Sequence, residues 1–419
     1  MKLNNLIKLA VIFVFSVMLT STILAQNSKI KLGIEVLAES NFEILKNKRV
    51  GLITNASGVD SKLNSTIDII NSGNGFKLVA LFGPEHGIRG DVEAGDKISD
   101  YVDKITGLPV YSLYGKNRKP SDEILENIDV LVYDIQDIGC RSYTFISSLG
   151  KIMEAAAKNN KQVIVLDRPN PLSGNKIEGN VVEEGFFSFI SQFPIPYVYG
   201  LTVGELANLI NNEGMLEDKA KCDLTVVKME GWKRNYSFED TGLNWVPTSP
   251  HVPHKDSPAF YVASGIVGEL RDVISIGVGY TLPFQTFAYQ NVDGIELASR
   301  LNKLNLSGIT FMPISYKPYY AFAKSEQISG VEVFITDFEK VELMKTQLYV
   351  LQELNKMYPN FKLLDKSDAS HLRAFDKAMG TDKIRIEFSK NYLVSDVEKY
   401  LDKDIEPFKL LSKKYYLYN

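Results

Sequence analysis

VLVYDIQDIGCRSYTFISSLGKIMEAAAKNNKQVIVLDRPNP, residues Val130–Pro171, decides the fold. It opens on a short run, Val130–Ile135, and closes on another, Gln162–Leu166, both apolar and rich in β-branched residues. Continuous apolar runs of that length suit strands buried on both faces of a parallel sheet. Between them, Ser147–Lys158 places Ile152, Ala155 and Ala156 on one side of a helix. A strand, a crossover helix and a second parallel strand make a right-handed βαβ unit.

The same rhythm extends towards the amino terminus. Arg49–Thr54 (RVGLIT) and Leu78–Phe82 (LVALF) are two more such runs, with a helical pattern over Leu63–Asn71 between them. The alternation predicts a Rossmann-like, doubly wound α/β domain. In such sheets ligands collect beyond the carboxyl ends of the strands. The residues just after each run are therefore the candidate site. They are Asn55 after the first run, and Gly83-Pro84-Glu85-His86-Gly87 with Arg89 after the second. Asp134, Gln136, Asp137 and Arg141 surround the end of the third, and Asp167-Arg168-Pro169-Asn170-Pro171 follows the fourth.

Near Trp245 the texture changes. The stretch WVPTSPHVPHKDSP (Trp245–Pro258) is proline-rich and breaks the periodicity. A domain junction near its end divides the chain into 29–255 and 256–419, and two domains are the ordinary expectation for 419 residues. Beyond the junction, Val292–Leu304 and Phe338–Met357 have helical spacing, while Ile309–Pro313 and Val331–Ile335 read as strands. The second domain is expected to be smaller and α+β.

Residues 1–25, MKLNNLIKLAVIFVFSVMLTSTILA, have a positive start at Lys2 and Lys8 and an apolar run from Leu9. A small residue, Ala25, precedes Gln26-Asn27, which is the pattern of a cleaved secretory signal. Ser16, Thr20, Ser21 and Thr22 interrupt the run, which falls short of the ~20 apolar residues of a span. The expectation is an exported protein, periplasmic or secreted, with no stable membrane insertion after cleavage. Nucleotide cofactors are scarce there, and their motifs are absent. Asn55-Ala56-Ser57-Gly58 stands where GxGxxG would, and there is no GxxxxGK[ST]. A net charge of -4 argues against a nucleic-acid partner. Cys140 and Cys222 fit neither a disulfide framework nor a zinc spacing.

Three hydrolytic chemistries compete. Ser148-Leu149-Gly150-Lys151 matches SxxK, but no KTG or SDN accompanies it, and it lies inside a helix with a packing role. His251, His254 and Asp256 have a reachable metal spacing, yet prolines surround them and there is no HExxH, so no metal is expected. Carboxylate chemistry fits best. Glu85 ends a buried run among Gly83, Gly87 and Gly90, where a partly dry position raises a carboxyl pKa towards that of a general acid. The alternative is a surface turn with a capping carboxylate. Glycoside hydrolysis typically uses two carboxyl groups, and Asp134, Asp137, Asp167, Glu178 and Glu269 are candidate partners. Phe186, Phe187, Phe189, Phe193, Tyr197, Tyr199, Trp245, Tyr261 and Tyr280 offer rings on which sugar faces stack, with Phe186 and Phe189 the readiest to be core instead.

GPEHGIRG (Gly83–Gly90), YDIQDIGCRSYTF (Tyr133–Phe145), LDRPNPLSG (Leu166–Gly174), IEG (Ile177–Gly179), GLTVGELA (Gly200–Ala207) and FDKAMGTDKIR (Phe375–Arg385) resemble the NamZ/YbbC family of exported exo-β-N-acetylmuramidases. The resemblance covers nearly all of the chain beyond the leader. It implies a Rossmann-like domain, a smaller carboxy-terminal domain and an active site in the cleft between them. It also implies release of N-acetylmuramic acid (MurNAc) from non-reducing ends of peptidoglycan fragments, with muropeptides or MurNAc-GlcNAc as substrates. The family's proposed catalytic glutamate falls on Glu85. His86 and Asp134 are expected to tune or orient it. Asn55, Asp137, Asn170, Glu178, Tyr199, His251 and Glu269 are expected to bind substrate. Arg89, Arg141 and Arg168 are candidates for the lactyl carboxylate, which guanidinium pairs in bidentate fashion. Two departures stand out. Val198-Tyr199-Gly200 replaces the RHG of many relatives, and GELRDVISIGVGYTLPF (Gly268–Phe284) keeps Glu269 but lacks their later charges. A non-catalytic aminosugar-binding protein, or a deacetylase or esterase acting through His251 and His254, are the alternative readings.

Overall fold

The computed structural model describes residues 30–90, 99–115, 117–270, 273–360 and 362–419. The expected signal segment lies outside them. The first domain is built on a seven-stranded sheet in the order β3-β4-β2-β1-β5-β6-β7. The strands are β1 (Arg49–Thr54), β2 (Lys77–Gly83), β3 (Tyr101–Val102), β4 (Pro109–Ser112), β5 (Val130–Asp134), β6 (Gln162–Leu166) and β7 (Asp223–Val227). All neighbours are parallel except β3 against β4. From β1 the chain winds outward through β2 to β4, then returns across β1 to β5 and winds the other way. The order reverses between β1 and β5, where a doubly wound sheet opens a crevice at its carboxyl edge.

Alternate residues of each central strand enter opposite cores, which is why the runs read as continuously apolar. Leu131, Tyr133, Val163 and Val165 pack with Ile152, Met153 and Ala156 of the helix Phe145–Lys158. Val130, Val132, Ile164 and Leu166 pack on the other face with Ile34 and Leu37. In that helix the Ser148 hydroxyl donates to the Thr144 carbonyl and Lys151 pairs with Glu154, so both SxxK residues serve the helix. Cys140 and Cys222 are buried and unlinked.

The second domain carries an antiparallel sheet, β8-β10-β9, from β8 (Thr286–Tyr289), β9 (Ile309–Tyr316) and β10 (Ile328–Ile335). The helices Ser257–Gly268, Gly294–Lys303 and Leu343–Met357 bury one core with it, joining Val262 and Ile266 to Leu348, Leu351 and Val333. Gln347 stitches two of these helices, accepting from the Val267 amide at 2.9 Å and donating to the Val262 carbonyl at 3.1 Å. Helix starts differ from expectation for local reasons. Asp60 accepts from the Lys62 and Asn64 amides and Ser65 caps Ile67, so the first-domain helix begins at Thr66 rather than Leu63.

The chain end returns to the first domain. Tyr418 donates to Asp167 at 2.5 Å and accepts from the Met229 amide, and the Leu417 amide donates to Glu205. The Arg234 guanidinium, paired with Glu205, lies 3.3 Å from the Tyr416 ring centre. Beneath this strap, Thr202 and Glu205 form a reciprocal cap on the helix Val203–Asn212.

Candidate functional site

The carboxyl edge of the large sheet faces the helix Ser257–Gly268 across a cleft of about 780 Å³. From the first domain it is lined by Glu85 and His86 after β2, by Tyr114 and Arg118 after β4, and by Tyr143 after β5. Ser249 and His251 of the proline-rich junction also line it, as do Tyr261 and Glu269 of the second domain. Both domains therefore supply walls.

Glu85 is held by a tight turn. The Gly87 amide donates to the Pro84 carbonyl at 3.1 Å, which closes a four-residue turn around Glu85 and His86. His86 adopts φ 73, a left-handed conformation that costs a non-glycine residue of order 1 kcal/mol or more. Gly83 is needed for packing, since a Cβ there would stand 3.2 Å from the Ile88 amide. The turn leaves Glu85 partly exposed to the cleft, while His86 is buried beneath it.

Tyr143 sits where the first-domain acids converge. Burial pushes its hydroxyl pKa well up, and the charges of Asp137 and Glu85 add to that. Its oxygen lies 2.7 Å from Thr248 Oγ1. Glu269 follows the last turn of the helix Ser257–Gly268 on the opposite wall. His251 Nε2 meets the Tyr320 hydroxyl at 2.7 Å, joining the junction to the loop between β9 and β10. The cleft thus presents a carboxyl group from each domain, three tyrosines and two histidines, with further aromatic walls from Phe189 and Phe322. Such a set has the chemistry to exchange protons with a ligand and to stack against its apolar faces.

The model of the amino-terminal domain of the exo-β-N-acetylmuramidase NamZ matches residues 50–256, and that of its carboxy-terminal domain matches 259–418. The chain belongs to the NamZ family. That makes it an enzyme of the glycoside hydrolase class. The peptidoglycan β-N-acetylmuramidase NamZ of Bacillus subtilis (strain 168) is 41% identical over 395 residues, 94% of this chain and 92% of that protein. A crystal structure of a DUF1343 family protein from Bacteroides fragilis NCTC 9343 is 55% identical with a TM-score of 0.90, covering 94% of this chain and all of that one. A second DUF1343 structure from the same strain is 27% identical with a TM-score of 0.72, covering 93% and 99%.

In this NamZ-family chain the expected site residues divide. Glu85, His86, His251 and Glu269 line the cleft. The others line no part of it, and the reasons are physical. Asp134 is fully buried and accepts from Arg168 Nε at 2.5 Å, Arg168 Nη2 at 2.8 Å and Thr66 at 2.5 Å. That closed pair neither orients Glu85 nor offers Arg168 to a ligand. Arg141 is fully buried and donates to four backbone carbonyls. Arg89 forks onto Asp103, with contacts of 3.0 and 3.1 Å. Asn55 accepts from Ser57, and Asn170 bridges the Leu172 amide and the Leu201 carbonyl. Glu178 accepts from the Met344 amide and pairs with Lys176, lining a separate small cavity. Phe193, Tyr197 and Tyr199 are core, whereas Phe189 and Tyr261 reach the cleft. The cleft residues that sequence reasoning missed are chiefly Tyr114, Arg118 and Ser249. The glycine-flanked PVYS of β4 was the available signal for the first two.

Tyr199 donates to Asp137 below the cleft. Asp137 Oδ2 also accepts from the Gly139 amide, while Oδ1 is buried without a hydrogen-bond partner among the described residues. Burial pushes the Asp137 carboxyl up to about 6. An unfolded aspartate titrates near ~3.9. Between those values the folded state binds the extra proton, so stability falls as pH rises through that window. Asp137→Asn should flatten this stretch of the profile, as read by thermal midpoints taken from about pH 4 to pH 6.5. An unchanged slope would place the titrating group elsewhere.

Proposed function

We propose that the protein is an exo-acting glycoside hydrolase that releases N-acetylmuramic acid from non-reducing ends of peptidoglycan fragments, with Glu85 as catalytic acid. The observation that carries this is the shared cleft, with Glu85 from the sheet edge on one wall and Glu269 from the second domain on the other. Family membership and the 41% identity to the Bacillus subtilis enzyme support the same reading. Glu85 protonates the glycosidic oxygen as the bond to the leaving sugar breaks. Glu269, or the acetamido group of the substrate itself, meets the positive charge that develops at the anomeric carbon, and a water then bonds to that carbon and returns a proton to Glu85. The leader at 1–25 supports export, which puts the enzyme in the compartment that holds its substrate.

The test is incubation of the purified chain without its leader with MurNAc-β-1,4-GlcNAc. Free N-acetylmuramic acid is the expected product. An intact disaccharide that nevertheless binds measurably would favour the aminosugar-binding alternative. The deacetylase or esterase reading needs His251 and His254 together, and of the two only His251 lines the cleft.

A further inference from the structure

N-acetylmuramic acid carries a lactyl carboxylate, and the three arginines nearest the sheet edge in sequence are all committed. Arg89 forks onto Asp103, Arg141 onto backbone carbonyls, and Arg168 onto Asp134. Among the described cleft-lining residues there is one side chain that is cationic at every working pH, Arg118. We propose that Arg118 is the residue that recognises the lactyl carboxylate and so sets the preference for a muramic over a glucosamine terminus. The assignment rests on the muramidase reading above.

Its placement follows from the sheet. β4 lies beside β2, with Ser112 opposite Gly83, and the Leu113 amide donates to the Gly83 carbonyl at 2.8 Å. The loops that carry Glu85 and Arg118 thus leave the same edge side by side. Both side chains line the one cleft, so a terminal sugar held by Glu85 at its glycosidic oxygen shares that cleft with the Arg118 guanidinium. The guanidinium is also held ready. It lies 4.1 Å over the ring of Phe189, itself a cleft wall, and forms no ion pair with a described carboxylate. The cation–π contact holds the guanidinium against the ring, and its N–H groups can still meet a bidentate acceptor. The electrostatics favour such a group. Glu269 puts an acidic group on the wall opposite, and a carboxylate ligand entering beside it gains from a compensating cation.

The experiment compares two substrates that differ only in the lactyl ether, 4-nitrophenyl β-MurNAc and 4-nitrophenyl β-GlcNAc, on wild type, Arg118→Met and Arg118→Lys. Arg118 is exposed, so these variants fold. The expected result is a loss of roughly tenfold or more in kcat/KM on the muramic substrate for Arg118→Met, mostly in KM, with Arg118→Lys between it and wild type. The glucosamine substrate should be turned over equally by all three, at whatever low rate it shows. Calorimetry with free N-acetylmuramic acid gives a readout independent of turnover, and binding should weaken by a similar factor in Arg118→Met. Wild-type release with no change in either variant, or an equal loss on both substrates, overturns the assignment alone. A wild type that cleaves neither glycoside and binds no N-acetylmuramic acid sinks the muramidase reading, and this assignment with it.

Discussion

Glu85→Gln should lower kcat/KM on MurNAc-β-1,4-GlcNAc by a factor of about 10²–10⁴, the usual contribution of a positioned general acid. The substitution keeps the shape of the side chain and removes only its transferable proton. The turn that presents position 85 is made by the Pro84 carbonyl, the Gly87 amide and the left-handed His86, none of which uses the carboxylate. Thermal stability should therefore stay within about 0.5 kcal/mol of wild type, as for other changes that touch no buried partner. The loss should fall mainly on kcat, because the proton is given only as the bond breaks. A 4-nitrophenyl glycoside sharpens the test, since its leaving group needs little protonation and Glu85→Gln should cost far less on it. Full activity on the disaccharide would move the acid elsewhere, with Glu269 the next residue to replace.

How far the site could be read from the sequence follows from how a sheet edge is built. The four apolar runs became β1, β2, β5 and β6 within a residue or two, because strands buried on both faces leave an unmistakable pattern. Glu85 was legible because it follows such a run among glycines. Asp134, Arg168, Asn170 and Arg141 follow runs equally well, yet they serve the scaffold. Strand ends and sharp turns strand backbone amides and carbonyls, and buried polar side chains are what satisfy them. The same residue types at the same edge thus serve either solvent-facing chemistry or internal closure, and only the fold tells which. Arg118 was missed for the converse reason. β4 is four residues long and half-buried, so the loop after it did not present itself as a strand end.

Arg141 shows what such a closing residue is worth, and its replacement should be the most damaging to folding. Nη1 donates to the carbonyls of Asn180 at 2.8 Å and Ile195 at 2.7 Å, and Nη2 to those of Ala378 at 2.9 Å and Met379 at 3.0 Å. Ala378 and Met379 end the helix Ala369–Met379 of the second domain, so the guanidinium caps its carboxyl terminus from the first. Gly380, at φ 80, makes room, since a Cβ there would approach Nη2 to 2.9 Å. No carboxylate forms an ion pair with Arg141 among the described residues. Burial pushes its pKa down to about 10, still charged at neutral pH. Arg141→Leu strands the dry carbonyls of Asn180, Ile195 and Ala378, each costing about 1–3 kcal/mol, and leaves that of Met379 only its bond from Asn180 Nδ2, a loss comparable to the ~5–15 kcal/mol that holds a whole domain together. The expected outcome is an insoluble or unfolded protein. Arg141→Lys, whose single ammonium cannot span four acceptors, should lower stability by about 3 kcal/mol or more in urea unfolding. A soluble Arg141→Leu protein with a wild-type urea midpoint and no muramidase activity would instead make Arg141 a substrate contact and reverse the assignment.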